Sequence, residues 1–452
     1  MDNLTAPPRQ VIMKSTFYNA CWIILEKCCF AVAGIFSSMY VARYLGPENF
    51  GTLSYTYSII AIILPFIQLG SDNILFNRVA KNPHSGLRLM EASRYIKIIF
   101  FALFSAGLLF WAYRQLPTRQ LTVLAILLVG TFFTLCDIYK TFYDATLASK
   151  INLVVNNTAL IIYVGVNLVF VHLGLDLIWF AATLAMRSFI AYSVRSVIFH
   201  LKRREKKRTI HGVIKFKNIK TYNTYLLKIG LPLATSSLAI VIYTRIDQIM
   251  LGQFIGSHAV GIYSATLAIS GGWVLVPMAV ITSFMSTIAS ERDAGKAADR
   301  AGQLYMLTLA SCLPVLLLIG SFSSEIIRFL YGAAYQEAAT ILFICTLTSL
   351  CSVLGTIAYR IILMHAGYVF MALKMPIVAL INIFLNYHFI PLFGIKGAAL
   401  STLFSEAISL LVLNAFFKQG VVTHQMFSAY KSVPKFITEV QLYVKSINQA
   451  SH

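Results

Sequence analysis

Two residues of opposite charge, Arg245 and Asp247, stand two positions apart in VIYTRIDQIML, part of a helix-length apolar run. A charge inside such a run costs about 2.5–3.5 kcal/mol on insertion scales, so it is expected to face protein or water and not lipid. Other runs pose the same problem. Arg187 and Glu406 lie near the middle of theirs, Lys374 lies nearer one end, and Glu26 and Lys27 are neighbours in the first. Adjacent side chains point about 100° apart around a helix, so Glu26 and Lys27 need partners on other helices. Asp137, Lys140 and Asp144 share one helical face at spacings of three and four, with Tyr139 and Tyr143 close by. That triad reads either as an ion-pair ladder joining neighbouring helices or as part of a polar cavity wall. Arg195 and Arg360 sit near enough to the ends of their runs to snorkel.

So many charges cannot all face lipid, and a hydrated cavity is the economical solution. Lys27, Lys140, Arg187, Arg245 and Lys374 would give it a positive lining against a smaller set of acids. In a low dielectric such a lining favours an anion, and the guanidinium fork matches phosphate oxygens in a bidentate way. A pyrophosphate head group suits it; an organic cation does not. No catalytic constellation accompanies these charges. There is no phosphate-binding loop for nucleotide hydrolysis, so the driving force is expected from an ion gradient or the substrate's own gradient. The seven cysteines fall in apolar runs without metal-ligand spacing, so no metal, cofactor or disulfide framework is indicated.

The elements that must position these charges are helices in a membrane. Of 452 residues, 58% are hydrophobic and 12% charged, about half the charge of a soluble chain. The apolar runs are continuous and lack the alternation of a β-barrel, which selects helices. Runs at 17–41, 53–69, 96–113, 121–146, 153–171, 177–199, 227–251, 260–288, 304–322, 338–364, 369–390 and 397–417 are each near crossing length, about twelve in all. The net charge of +20 collects in loops. Arg78, Lys81, Arg88 and Arg94 follow the second run, LKRREKKRTIHGVIKFKNIK (201–220) follows the sixth, and Arg292, Lys296 and Arg300 follow the eighth. The intervening GPENFG, HLGLD and GSHAVG carry no Lys or Arg, which places both termini in the cytoplasm. The basic linker is expected to touch anionic phospholipid head groups and not nucleic acid. The tail from Lys418 suits either an amphipathic surface helix or a mobile segment.

The second half echoes the first. FIGSHAVGIYSATLAI, from Phe254, aligns without gaps to YLGPENFGTLSYTYSI, from Tyr44, at a constant offset of 210 residues. Gly46 pairs with Gly256 and Gly51 with Gly261, with Pro47 in the first turn. The expected layout is a six-helix bundle at 1–200, a linker at 201–225, a second bundle at 226–417 and a tail at 418–452. An even number of spans per half relates the bundles by a pseudo-two-fold axis along the membrane normal, with the site between repeats.

Several segments, in order and in spacing, carry a resemblance that covers nearly the whole chain. They are ARYLGPENFG (42–51), LGSDNILFNRVAKNP (69–83), IYTRIDQIMLG (242–252), VGIYSA (260–265), LYGAAY (330–335) and NIFLNYHFIPLFGIKGAALST (382–402). The chain resembles the polysaccharide (oligosaccharidyl-lipid) flippase family of the multidrug/oligosaccharidyl-lipid/polysaccharide exporter superfamily. Trp22 followed by Glu26–Lys27 resembles one subgroup. The resemblance implies an all-α, MATE-like fold with a V-shaped cavity open alternately to each side. It implies an undecaprenyl-pyrophosphate-linked oligosaccharide, such as an O-antigen repeat unit, moved from the cytoplasmic to the periplasmic leaflet of a bacterial inner membrane. A polysaccharide polymerase and chain-length machinery are the implied partners. The preferred phosphate contacts are Arg245, Lys27 and Arg187, then Lys140 and Lys374. The chain departs from the family pattern after VGIYSA, where Ser270, Gly271 and Gly272 stand in place of an acid. Coupling to a proton or sodium ion is therefore expected at Asp247, Asp137 or Glu406, with Asp144 and Glu26 as further candidates. A multidrug or cation antiporter of the same architecture, a lipid II flippase and a membrane glycosyltransferase are the rival classes. The short loops predicted outside the cytoplasm argue against the last. The topology has a direct check: alkaline phosphatase fused after Gly174 is expected to be active, and the same fusion after Arg88 inactive.

Overall fold

A computed structural model describes residues 9–205, 216–291 and 293–427. All regular structure among them is helical. Nine stretches among the described residues are long and apolar enough to cross a membrane; the bent pair below would make ten if it is one span. The ordinary energetic gain of burying apolar area is absent between helices in lipid, so close packing and polar contacts hold such helices together.

The chain divides by its contacts into a unit ending at Arg245 and a unit beginning at Ile246. The boundary falls inside a helix and not in the linker expected at 201–225. Leu226, Leu227 and Ala234, beyond that linker, pack within the first unit, where Ala234 and Leu227 join Leu69, Ile96 and Phe100.

In the first unit, α1 (Arg9–Gln68) is two helices run together across Gly46. Then come α2 (Ser71–Lys81), α3 (Pro83–Gln115), α4 (Thr118–Cys136), α5 (Ile138–Ala145), α6 (Ser149–His172) and α7 (Leu177–Glu205). The segment containing Arg78 and Lys81 is the short helix α2 and not a bare loop, because Leu75 and Val79 one turn apart anchor it beside Tyr139 and Phe199. The fourth expected span is not continuous. Asp137 leaves helical geometry (φ −80°, ψ 63°) between α4 and α5. A helix that breaks in a membrane must satisfy its freed groups nearby, and polar side chains gather there. Just before the break α4 lies close on α7: a Cβ on Gly130 would stand 2.8 Å from Ala185 Cα.

The connecting helix α8 (Phe216–Phe254) leads into α9 (Ser257–Gly272), α10 (Leu275–Ser290), α11 (Ala294–Tyr331), α12 (Ala339–Met364), α13 (Tyr368–Phe393) and α14 (Ile395–Ala407). Helices α9 and α10, the single run expected at 260–288, are bent from each other by 41°. After α14 the backbone winds through a π-helical stretch, Ile408–Val412, and a 3₁₀ turn, Leu413–Phe416. The described start of the tail, α15 (Val421–Phe427), buries Val422 in the core of the second unit, among residues such as Phe417 and Ile361. Residues 206–215 of the linker and 428–452 of the tail lie outside the described residues.

The repeated turn has a repeated backbone. Gly46 has φ 72°, ψ 170° and Gly256 has φ 119°, ψ 178°. Both lie in a region that is nearly closed to residues with a Cβ, whereas Gly51 and Gly261 are buried inside helices. Gly256→Ala is therefore expected to destabilise the protein by about 1–3 kcal/mol. Gly271→Ala, where nothing stands within 4 Å of a built Cβ, is expected to change little. Thermal unfolding of the detergent-solubilised variants measures both.

Candidate functional site

Among the described acids of the second unit, Asp247 is the most completely enclosed. Its α8 segment, Asp247–Leu251, is buried throughout. Three neutral groups from three other helices donate to its carboxylate: Tyr263 Oη of α9 at 2.8 Å, Asn386 Nδ2 of α13 at 2.5 Å, and Thr402 Oγ1 of α14 at 2.6 Å. Asn386 also donates to Asn382 Oδ1, one turn away, at 3.2 Å. Its own Oδ1 is buried with no hydrogen-bond partner. Asn382 and Asn386 are fully buried because α13 turns one stripe, Lys374, Val378, Asn382, Asn386 and Ile390, into the unit. Gln248, beside the acid, donates to Ser264 at 3.2 Å.

Hydrogen bonds to a charged group contribute about 1.5–3 kcal/mol each, yet a buried ion without an opposite charge remains costly. Carboxylate and hydroxyl oxygens are among the ligands that a hard cation takes. The cluster is thus chemically able to take up one positive charge, as a proton on the carboxylate or as a monovalent cation among the oxygens.

The first unit handles its buried acid differently. Asp137, at the α4–α5 break, forms an ion pair with Arg195 of α7, and Arg195 also donates to Asn156 of α6. The Arg195 side chain is 2% exposed, so it does not snorkel. The ion-pair ladder expected along 137–144 does not form either. The break rotates Asp137 out of register with the residues that follow. Asp144 instead accepts from Ser149 at 2.7 Å and Asn152 at 2.8 Å, while Lys140 is exposed. Arg360 is half-buried and donates to Thr282 at 3.2 Å.

Both arginines expected to meet phosphate lie against tyrosine rings. The Arg187 guanidinium carbon sits 5.5 Å from the ring centre of Tyr163, and that of Arg245 sits 5.4 Å from the ring centre of Tyr57. Lys374 is buried and donates to Asn414 at 2.6 Å, with Glu406 acting on it electrostatically. It thus occupies the interior of the second unit. The side chains of Glu26 and Lys27 lie outside the described residues. Asn382, Asn386, Thr402, Tyr263, Tyr57 and Tyr163 are the residues that reading the charges alone leaves out. A pair of asparagines four apart in the apolar run NIFLNYHF was the available signal.

Long apolar helices and this topology define a multi-pass membrane protein with a transporter fold. A multidrug resistance MATE family transporter of the MOP superfamily, in an inward-facing conformation, superposes with a TM-score of 0.67 at 12% identity, over 89% of this chain and 96% of its own. The lipid II flippase MurJ, inward closed, superposes at 0.63 and 18% identity, over 95% of this chain and 92% of its own. Residues 17–289 match the polysaccharide biosynthesis protein family, and the chain belongs to it. A curated relative, the probable flippase AglR of Haloferax volcanii, is 33% identical over 186 residues, 38% of this chain and 38% of that protein.

The Asp137–Arg195 pair carries a stability prediction. Arg195→Met strands a buried carboxylate and is expected to cost about 3–5 kcal/mol. Adding Asp137→Asn is expected to restore most of the loss, as read by thermal unfolding in detergent.

Proposed function

We propose that the protein is a flippase for a lipid-linked oligosaccharide. It moves an undecaprenyl-pyrophosphate-linked glycan of the O-antigen repeat type from the cytoplasmic to the periplasmic leaflet of a bacterial inner membrane. The cycle is alternating access, coupled to a proton or sodium ion at Asp247. The observation that carries the transport reading is the buried Asp247 carboxylate held by three neutral donors. It is a place where one positive charge can enter and leave within the bilayer. Family membership supports the glycan, and the partial match to a probable flippase supports the mode of action. The pyrophosphate rests on the half-buried Arg187 and Arg245, whose forks suit phosphate oxygens. Among the other acids proposed for coupling, Asp137 is already neutralised by Arg195, which favours Asp247.

The MATE and lipid II flippase folds both fit this chain, so substrate must be settled by phenotype. A strain lacking the protein is expected to lose surface polysaccharide and to keep its susceptibility to cationic drugs. In that strain Asp247→Asn, which keeps the shape and removes the charge, is expected to insert normally and fail to restore the polysaccharide. Arg245→Ala is expected to fail as well, with Arg245→Lys restoring it in part because the fork is lost. Normal polysaccharide with Asp247→Asn would rule out coupling at that acid. Normal polysaccharide with Arg245→Ala would rule out that contact.

A further inference from the structure

We infer that a shallow cleft between α3 and α4 is a binding site for the phosphate of an anionic phospholipid, with Arg94 as its principal contact. None of the residues proposed above for substrate or ion lines it, so it stands whether or not the glycan reading holds. Arg94, Lys97, Ile98 and Phe101 line it from α3, at spacings of three, four and seven that share one helical face. Phe132 and Cys136 line it from α4. The rings of Phe101 and Phe132 stand 5.4 Å apart, centre to centre. The cleft is therefore basic at one end and apolar at the other, as a phospholipid is.

The two cations are held differently. Lys97 is buried and donates to Asp72 of α2 at 3.0 Å, so its charge is met by a carboxylate. Arg94 is half-buried and donates to the neutral Tyr192 Oη of α7 at 3.1 Å, with the Cys136 thiol beside it. Its described contacts include no carboxylate. A guanidinium has five N–H donors, more than a phenol and a thiol occupy. Over 71–97 the basic residues Arg78, Lys81, Arg88, Arg94 and Lys97 stand against the acids Asp72 and Glu91, a surplus that draws anions. One uncompensated guanidinium matches the single charge of a phosphodiester; a pyrophosphate carries more.

Depth selects a lipid and not a soluble anion. The apolar run 96–113 begins between Arg94 and Lys97, which lie about 4.5 Å apart along the axis. They therefore stand where hydrocarbon gives way to head groups. Tyr95, Ile98 and Ile99 are exposed at the same level, a surface suited to acyl chains. This is the end of α3 that the basic loops assign to the cytoplasm, and basic pockets between helices on that side bind anionic lipid head groups. A phosphate there supplies the counter-charge to Arg94, and its acyl chain lies toward Phe101 and Phe132.

The test is titration of the full-length protein in detergent with dioleoyl phosphatidylglycerol and, separately, dioleoyl phosphatidylcholine, with bound lipids counted by native mass spectrometry. Phosphatidylglycerol is expected to bind more tightly. Arg94→Gln is expected to weaken it about fivefold, the factor that one cation near an anionic head group contributes, and to leave phosphatidylcholine unchanged. Arg94→Lys and Tyr192→Phe, which keep the charge, and Arg88→Gln, outside the cleft, are expected to stay within about twofold of the parent. Ile98→Glu sets a carboxylate one turn from Arg94 and is expected to match Arg94→Gln; it decides alone should Arg94→Gln fail to fold. Equal affinity for the two lipids, or equal losses in Arg94→Gln and Arg88→Gln, would overturn the site in favour of diffuse charge. Undecaprenyl pyrophosphate that displaces phosphatidylglycerol at equal concentration would assign the cleft to the carrier lipid and overturn a resident phospholipid.

Discussion

A carboxylate taken out of water must be neutralised or surrounded, and the two units of this protein answer that demand in opposite ways. In the first, Asp137 is joined to Arg195, which also donates to Asn156, where the fourth span breaks. In the second, Asp247 is surrounded by the hydroxyls of Tyr263 and Thr402 and the amide of Asn386. The first arrangement closes the charge off. The second leaves a negative centre whose enclosure depends on α8, α9, α13 and α14 together, so a charge arriving at Asp247 bears on all four helices.

Helix breaks are the structural counterpart of these charges. Glycine makes the breaks at Gly46 and Gly256, where no side chain could follow the backbone without strain. At Asp137 the break is made by a polar residue, whose backbone N–H donates to the Thr134 carbonyl at 3.3 Å while Asn152 donates to the Lys140 carbonyl just beyond at 2.9 Å. The bend between α9 and α10 and the π-helical stretch after Glu406 are further departures from straight helices. Such irregularities are costly in lipid unless protein or water covers them.

Much of this was legible in the residues themselves. Apolar runs near crossing length located the helices, because hydropathy reports directly on the solvent that a segment can tolerate. The recurrence of Gly46 in Gly256 predicted two turns, and both adopt a glycine-restricted backbone. Partners were harder to read than positions. Arg195 looked like a residue at the end of a run free to reach the interface, yet it is buried, because its partner Asp137 lies 58 positions away in the chain. The triad at 137–144 obeyed helical spacing on paper; a single non-helical residue removed the shared face. Tyr263, Asn386 and Thr402 are neutral and carry no cost signal comparable to a charge, so their convergence on Asp247 appears only when the helices are packed. The boundary of the units lies inside α8 because Leu226, Leu227 and Ala234 side with the first unit, a choice that the charge of the preceding linker does not encode.

Reconstituted translocation addresses the central claim most directly. Purified protein in liposomes would be given a fluorescent undecaprenyl-pyrophosphate oligosaccharide in one leaflet and an imposed proton or sodium gradient. The account predicts that the parent protein moves the lipid to the other leaflet, faster with one of those gradients than without, and that Asp247→Asn abolishes the gradient's effect. Translocation no faster than in protein-free liposomes under either gradient, or an Asp247→Asn protein that still responds to the gradient, would contradict it.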